Sequence, residues 1–158
     1  MARAVSLDLL VDATIAVPAE LRRRLRVELA RMVRAAARRD QRADYEVSLR
    51  LVDDAAIHAL NRGYRHKNKP TDVLAFAQKE GPAAAIHPAM LGDIVISVDT
   101  ARRQARRGLY RELLHLASHG LCHLLGYDHR DDAEEAVMNA RAATLRREAR
   151  RAGKIRAA

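Results

Sequence analysis

The stretch His119-Gly-Leu-Cys-His123-Leu-Leu-Gly126-Tyr-Asp-His129 is the part of this chain best equipped for chemistry. His119 and His123 stand four residues apart, so on a helix both imidazoles project from one face, one turn apart. That separation lets two ring nitrogens meet one cation at about 2.0–2.1 Å each. His115 lies a further turn back on the same stripe. On a straight helix it is about 12 Å from His123 along the axis, too far to join the pair. A third ligand must come from chain that leaves the helix and returns. Gly126 suits the helix end, because glycine accepts the left-handed conformation there. Tyr127 and Asp128 then make a turn, and His129 can swing back. Three histidines with an open fourth position are the catalytic zinc arrangement rather than the closed structural one.

The H-x-x-x-H-x-x-G-x-x-H spacing is similar to that of the metzincin proteases, which place a glutamate base directly after the first histidine. Here that position is Gly120, so a peptide hydrolase of this design lacks its proton acceptor. His115 is either a group that orients the site or a partly buried, satisfied histidine. Cys122 points away from the His119–His123 stripe and reads as a small buried core residue rather than a soft ligand. Met138 fits an ordinary amphipathic helix as well as it fits a place beneath the site.

These residues need a frame to hold them. The pattern predicts a strand over Ala4–Val11 and an arginine-rich helix from Pro18 to about Arg39. In that helix Leu21, Leu25, Leu29, Met32 and Val33 recur at helical spacing. Its other face carries Arg22, Arg23, Arg26, Arg34 and Arg38, either a solvated face or a surface for RNA. Val47, Leu49 and Leu51 alternate as a strand over Tyr45–Val52. Asp53 caps a short helix reaching about Leu60, and Asn61–Thr71 reads as a polar loop. Strands follow at Asp72–Ala77 and Leu91–Val98, joined by a small-residue segment, Gly81–Pro88, expected to be mobile. Helices are predicted over Thr100–Arg107, Leu109–Leu125 and from about Asp131 to Arg151, with a frayed basic tail beyond. Four strands alternating with helices argue for an α+β or α/β domain with one sheet.

Composition narrows the function. With 158 residues, 49% apolar and 31% charged, the chain is globular and long enough for one core, so residues 1–158 are taken as one domain. One cysteine excludes an intrachain disulfide and a disulfide-linked scaffold, and fits a reducing, cytoplasmic setting. Neither a secretory signal nor a membrane-spanning run is visible. The net charge of +9 and pI near 10.5 suit a polyanionic partner, although nearly all of the 29 basic residues are arginine, as an arginine-rich proteome also gives. Aromatics make up 3%, too few for a base-stacking platform, so RNA would be bound mainly through its backbone.

Three blocks carry a family resemblance: HGLCHLLGYDH from His119 to His129, LNRGYRHKNKPTDVLAFA from Leu60 to Ala77, and LGDIVIS from Leu91 to Ser97. In this order they resemble the YbeY endoribonucleases, which act in ribosomal RNA maturation and ribosome quality control. The resemblance implies an α+β fold with a mixed four-stranded sheet, and a metal, usually taken as one zinc per chain, on His119, His123 and His129. It further implies Arg65 as the essential arginine, with single-stranded or ribosomal RNA as substrate. The small ribosomal subunit or its assembly factors are the implied partners. The chain departs from the family pattern at Asn68, Ala75, Ala77 and Cys122.

The residues suit that chemistry. A bound metal lowers the pKa of its water toward about 7 or polarises a phosphoryl oxygen. Arg65 offers a planar fork to a phosphate, near Lys67 and Lys69, where the alternative is a surface ion pair. Proton transfer is open among the metal-bound hydroxide, the substrate, Asp72, Asp93 and Asp128. Two other readings remain: a non-catalytic, zinc-containing assembly factor that binds rRNA, and a metal-dependent hydrolase of another substrate.

Overall fold

The structure, a computed structural model, describes residues 5–42, 44–78 and 89–157. Its elements, in order, are β1 (Ser6–Val11), α1 (Ala19–Arg39), β2 (Glu46–Val52), α2 (Asp54–Arg65), β3 (Val73–Ala77), β4 (Met90–Ser97), α3 (Val98–Gln104), α4 (Leu109–Leu124) and α5 (Asp132–Ala157). The four strands form one mixed sheet in the order β1-β2-β4-β3. β1, β2 and β4 run parallel, and β3 closes one edge antiparallel to β4. The fold is therefore α+β with the mixed four-stranded sheet that the family resemblance implies.

One face of the sheet carries the main core. Val47, Leu49 and Leu51 of β2 and Ile94 and Ile96 of β4 pack there under Leu25, Leu29 and Met32 of α1 and Leu113, Ala117 and Leu121 of α4. Ala142, Leu145 and Ala149 of α5 join the same cluster. Alternation puts Val95 on the opposite face, where it meets Val52, Leu74 and Ile57 of α2. Being covered on both faces accounts for the near-continuous apolar run in β4. No helix of the described residues is long and apolar enough to cross a membrane.

Several boundaries differ from the sequence expectation. α2 does not stop near Leu60 but runs to Arg65, so Arg65 ends a helix rather than sitting in a loop. Asn61 is buried and donates to the carbonyl of Lys69, while Asn61's own carbonyl accepts the N–H of His66, which takes the left-handed conformation. Tertiary partners thus make a polar segment helical. α3 begins earlier than expected, because Ser97 caps it through the Thr100 N–H. α5 continues through Ala157 rather than fraying after Arg151. It lies along α1, where Glu148 pairs with Arg39 at 3.0 Å and Gly153 lets the Arg31 guanidinium approach. The segment Gly81–Pro88, expected to be mobile, lies outside the described residues, as does Ala4.

Candidate metal centre

α4 is amphipathic in the way the histidine stripe requires. Leu113, Leu116, Ala117, Gly120, Leu121 and Leu124 are buried against the sheet and the other helices, and His119 and His123 fall on the less buried flank. Gly120 has a packing reason. A Cβ there would lie 2.7 Å from Cγ2 of Ile94 on β4, so the position that carries a glutamate base in metzincins has no room for a side chain. Cys122 is a buried free thiol, pushed up to about 11 by burial, and belongs to the core together with Met138.

The helix ends as the glycine predicts. Leu125 is the C-cap, and Gly126 follows at φ 102°. The Gly126 N–H bonds the carbonyl of His123 at 3.0 Å and the Tyr127 N–H bonds that of Cys122 at 3.0 Å. This pair is the Schellman closure, which reverses the chain and satisfies two carbonyls of the last turn. The reversal brings His129 back beside His123, with ring centroids 5.0 Å apart.

Among the described residues, His123, Asp128 and His129 each offer one ligand atom within 4.8 Å of the other two. Ligand atoms around a tetrahedral zinc are about 3.3 Å apart, so a modest closure of these side chains would seat one ion. Two imidazoles and a carboxylate are also a chemically suitable donor set. Burial, reinforced by the neighbouring His129, holds His123 below the ordinary imidazole value, which favours the neutral ring a metal needs. The Arg130 guanidinium and the His129 N–H, at 2.8 Å each, hold Asp128 below the usual carboxylate range. An acid kept anionic in this way is a better ligand than proton acceptor.

His119 stands apart from that trio. One ring nitrogen, Nδ1, contacts the carbonyl of His115 at 3.1 Å, and Nε2 contacts Oδ1 of Asn139 on α5 at 2.8 Å. His115 meets His119 ring to ring at 4.3 Å; the residue is exposed overall, yet partial burial and the neighbouring His119 hold its imidazole below the ordinary value. Its carbonyl, not its ring, holds His119. Asn139 was not foreseen, since nothing local to α5 marks it; only the packing of α5 on α4 brings it there.

A cleft of about 770 Å³ joins this centre to the basic segment after α2. Its lining includes His123, Asp128, His129 and Arg130 together with Arg65, Lys67, Lys69 and residues of strand β3. Arg65 donates from Nη2 to the carbonyl of Ala75 at 2.6 Å, and its guanidinium lies 5.2 Å from the Phe76 ring centroid. It makes no ion pair among the described residues. Asp72 lines the same cleft, with one carboxylate oxygen accepting the Val73 N–H and the other accepting from Gln104. Asp93 is not in the cleft lining, and its carboxylate accepts the Ser48 hydroxyl on the neighbouring strand. Asn68, a departure from the family pattern, contacts His58 at 2.8 Å.

Comparison with known proteins identifies the family. A family model described as endoribonuclease YbeY matches residues 15–150. A Picosynechococcus protein named endoribonuclease YbeY is 51% identical over 110 residues, covering 65% of this chain and 68% of that one. One from Syntrophotalea carbinolica, with the same name, is 48% identical over 107 residues, covering 65% and 71%. The solution structure of a Thermotoga maritima protein superposes with a TM-score of 0.60 and 25% identity, covering 96% of this chain and 92% of that one. With a family model spanning most of its length, the chain belongs to the YbeY family.

Proposed function

We propose that this chain is a cytoplasmic, metal-dependent endoribonuclease that cuts single-stranded RNA during maturation and quality control of small-subunit ribosomal RNA, acting as one domain. One observation carries the reading. The groups suited to hold a divalent ion line the same cleft as Arg65, Lys67 and Lys69, cations with no acidic partner among the described residues. Small-molecule hydrolases have no need of three cations in one cleft, and a purely structural zinc has no need of an open cleft. The family relatives, named as endoribonucleases, point the same way.

The proposed metal is one zinc on His119, His123 and His129. Before it could bind an ion through Nε2, His119 must give up its contact with Asn139. Asp128 is the nearest competitor for the third position. Such an ion would supply a water acidified toward neutrality and a Lewis acid for a phosphoryl oxygen. The chain's own residues do the rest. Arg65 presents its planar fork to the scissile phosphate, held in place by Ala75 and Phe76. Arg130 and the His129 N–H keep Asp128 charged. Of the carboxylates, Asp72 remains best placed to accept a proton from the cleft.

The test is elemental analysis with cleavage of a single-stranded RNA on the same preparations. The wild-type protein is expected to carry about one zinc per chain and His123→Ala to carry none, because two remaining ligands hold a divalent ion poorly. His119→Ala should also lose the metal, whereas Asp128→Ala should keep it. The reverse result for those two variants makes Asp128 the third ligand. Full occupancy in His123→Ala removes the metal assignment altogether.

A further inference from the structure

β3 is an edge strand whose outer side forms part of the cleft wall. The Ser97 N–H bonds the carbonyl of Asp72 at 2.9 Å, and Leu74 and Phe76 stand opposite Val95 and Asp93 in register with that pair. In an antiparallel ladder the intervening residues turn their N–H and C=O groups the other way. Val73, Ala75 and Ala77 therefore offer their main chain to the cleft. A bare edge of this kind alternates donors and acceptors and is a template for another strand of protein.

This edge has been altered at two points. The Val73 N–H is already taken by the Asp72 carboxylate at 2.8 Å. The Ala75 carbonyl is taken by Nη2 of Arg65 at 2.6 Å. What remains at Ala75 is an N–H with no acceptor among the described residues, next to a guanidinium bonded to the carbonyl of the same residue. The acceptor that an incoming peptide N–H would need is occupied by a cation. Lys67 and Lys69 line the same cleft. A donor and a fixed guanidinium side by side match the two non-bridging oxygens of a phosphodiester, and they do not match a peptide.

Resting on the endoribonuclease reading, we infer that the Ala75 N–H and the Arg65 guanidinium together form a phosphodiester subsite, so that a bound RNA strand lies along β3. In this arrangement Arg65 is aligned by the strand it serves. The contact is made by the main chain and needs no particular side chain at 75.

The direct experiment follows the Ala75 amide by NMR in ¹⁵N-labelled, metal-loaded protein. The probes are a 2′-O-methyl hexaribonucleotide with its natural phosphodiesters, the same sequence with an uncharged methylphosphonate backbone, and a neutral extended hexapeptide. The charged oligomer is expected to shift the Ala75 amide and slow its hydrogen exchange, while the other two leave it unmoved. Ala75→Pro removes the N–H at an outward-facing edge position, where no ladder bond is lost. It should lower kcat/KM for single-stranded RNA about tenfold, with an unchanged melting temperature. If that variant fails to fold, the amide titration on the natural chain still decides. An amide indifferent to the charged oligomer in a protein that cleaves RNA overturns the subsite alone. A peptide that shifts it as strongly makes β3 a strand-addition edge instead. A responsive amide in a protein that cleaves no RNA keeps the subsite and overturns the endoribonuclease reading.

Discussion

Arg65 illustrates how one side chain can be both anchored and available. Its bond to the Ala75 carbonyl and its stacking near Phe76 use one edge and one face of the guanidinium, leaving the remaining N–H groups for a ligand. Arg65→Ala is expected to reduce single-turnover RNA cleavage by at least about a hundredfold, the scale for losing a transition-state charge contact. Arg65→Lys should recover only part of this, since the point charge survives but the fork does not. Because the side chain is exposed, the melting temperature and zinc content of both variants should stay close to wild type; wild-type cleavage by the alanine variant removes Arg65 from the chemistry. His123 provides a second test at this scale. Its native pKa lies below the ordinary 6.5, so between those two values the unfolded chain binds more protons than the folded one. Its contribution is therefore constant above pH 6.5 and is lost as pH falls from 6.5 toward the native value. Denaturant midpoints of the chelator-treated protein should decline over that window, and decline less in His123→Gln. Equal pH dependence in the two proteins would mean that His123 is not desolvated in the fold.

At the scale of elements, the end of α4 decides whether the site forms. Gly126 sits at φ 102°, beyond the ordinary left-handed well, so any Cβ there is strained. Gly126→Ala is expected to cost about 1–3 kcal/mol of stability. It should also weaken metal binding, because the same turn returns His129 to His123. The checks are a denaturation curve and a competition titration with a zinc chelator, and unchanged metal affinity would separate the turn from the site. This turn was legible in the sequence, because a glycine at the C′ position is a local signal. The last turn of α2 was not. It depends on the Asn61 side chain reaching Lys69, and on His66 accepting a left-handed conformation without being glycine, and neither leaves a local trace. Asp128 was legible as a turn residue and a candidate proton acceptor but not as a neighbour within ligand distance of the histidines, whereas the contact of His119 with Asn139 spans two helices and could not be read from either one.

At the scale of the whole molecule, the strand periods foretold a single sheet, but not its order. β4 enters between β2 and β3, and that insertion is what turns the main chain of β3 toward the metal centre. The net charge of +9 is likewise a poor guide to where RNA would bind, because several of the surface arginines are already paired with acids. On the arginine-rich α1, Arg23 bonds Glu20 and Arg39 bonds Glu148. Elsewhere Arg50 bonds Asp12, Arg103 bonds Asp54, and Arg130 bonds Asp128. In the cleft, Arg65, Lys67 and Lys69 have no acidic partner among the described residues.

These pairings give the salt dependence of RNA binding a definite size. Each phosphate neutralised on a single strand contributes about 0.7 to the slope of log K against log salt. Three contacts in the cleft then predict a slope of about −2, or a loss of roughly twentyfold in affinity between 50 and 200 mM salt. If the α1 face with Arg22, Arg26 and Arg38 also bound the strand, the slope would be clearly steeper. Replacing Lys67 and Lys69 by Ala should reduce the slope by about two thirds and weaken binding evenly across RNA sequences, since aromatics make up only 3% of the chain and base stacking has little to offer. Fluorescence anisotropy with two unrelated single-stranded RNAs at four salt concentrations measures both quantities. A slope near −2 that collapses in the double variant locates binding in the cleft. A steep slope that survives the double variant moves the RNA to α1, and affinity indifferent to salt rules out the electrostatic account of either surface.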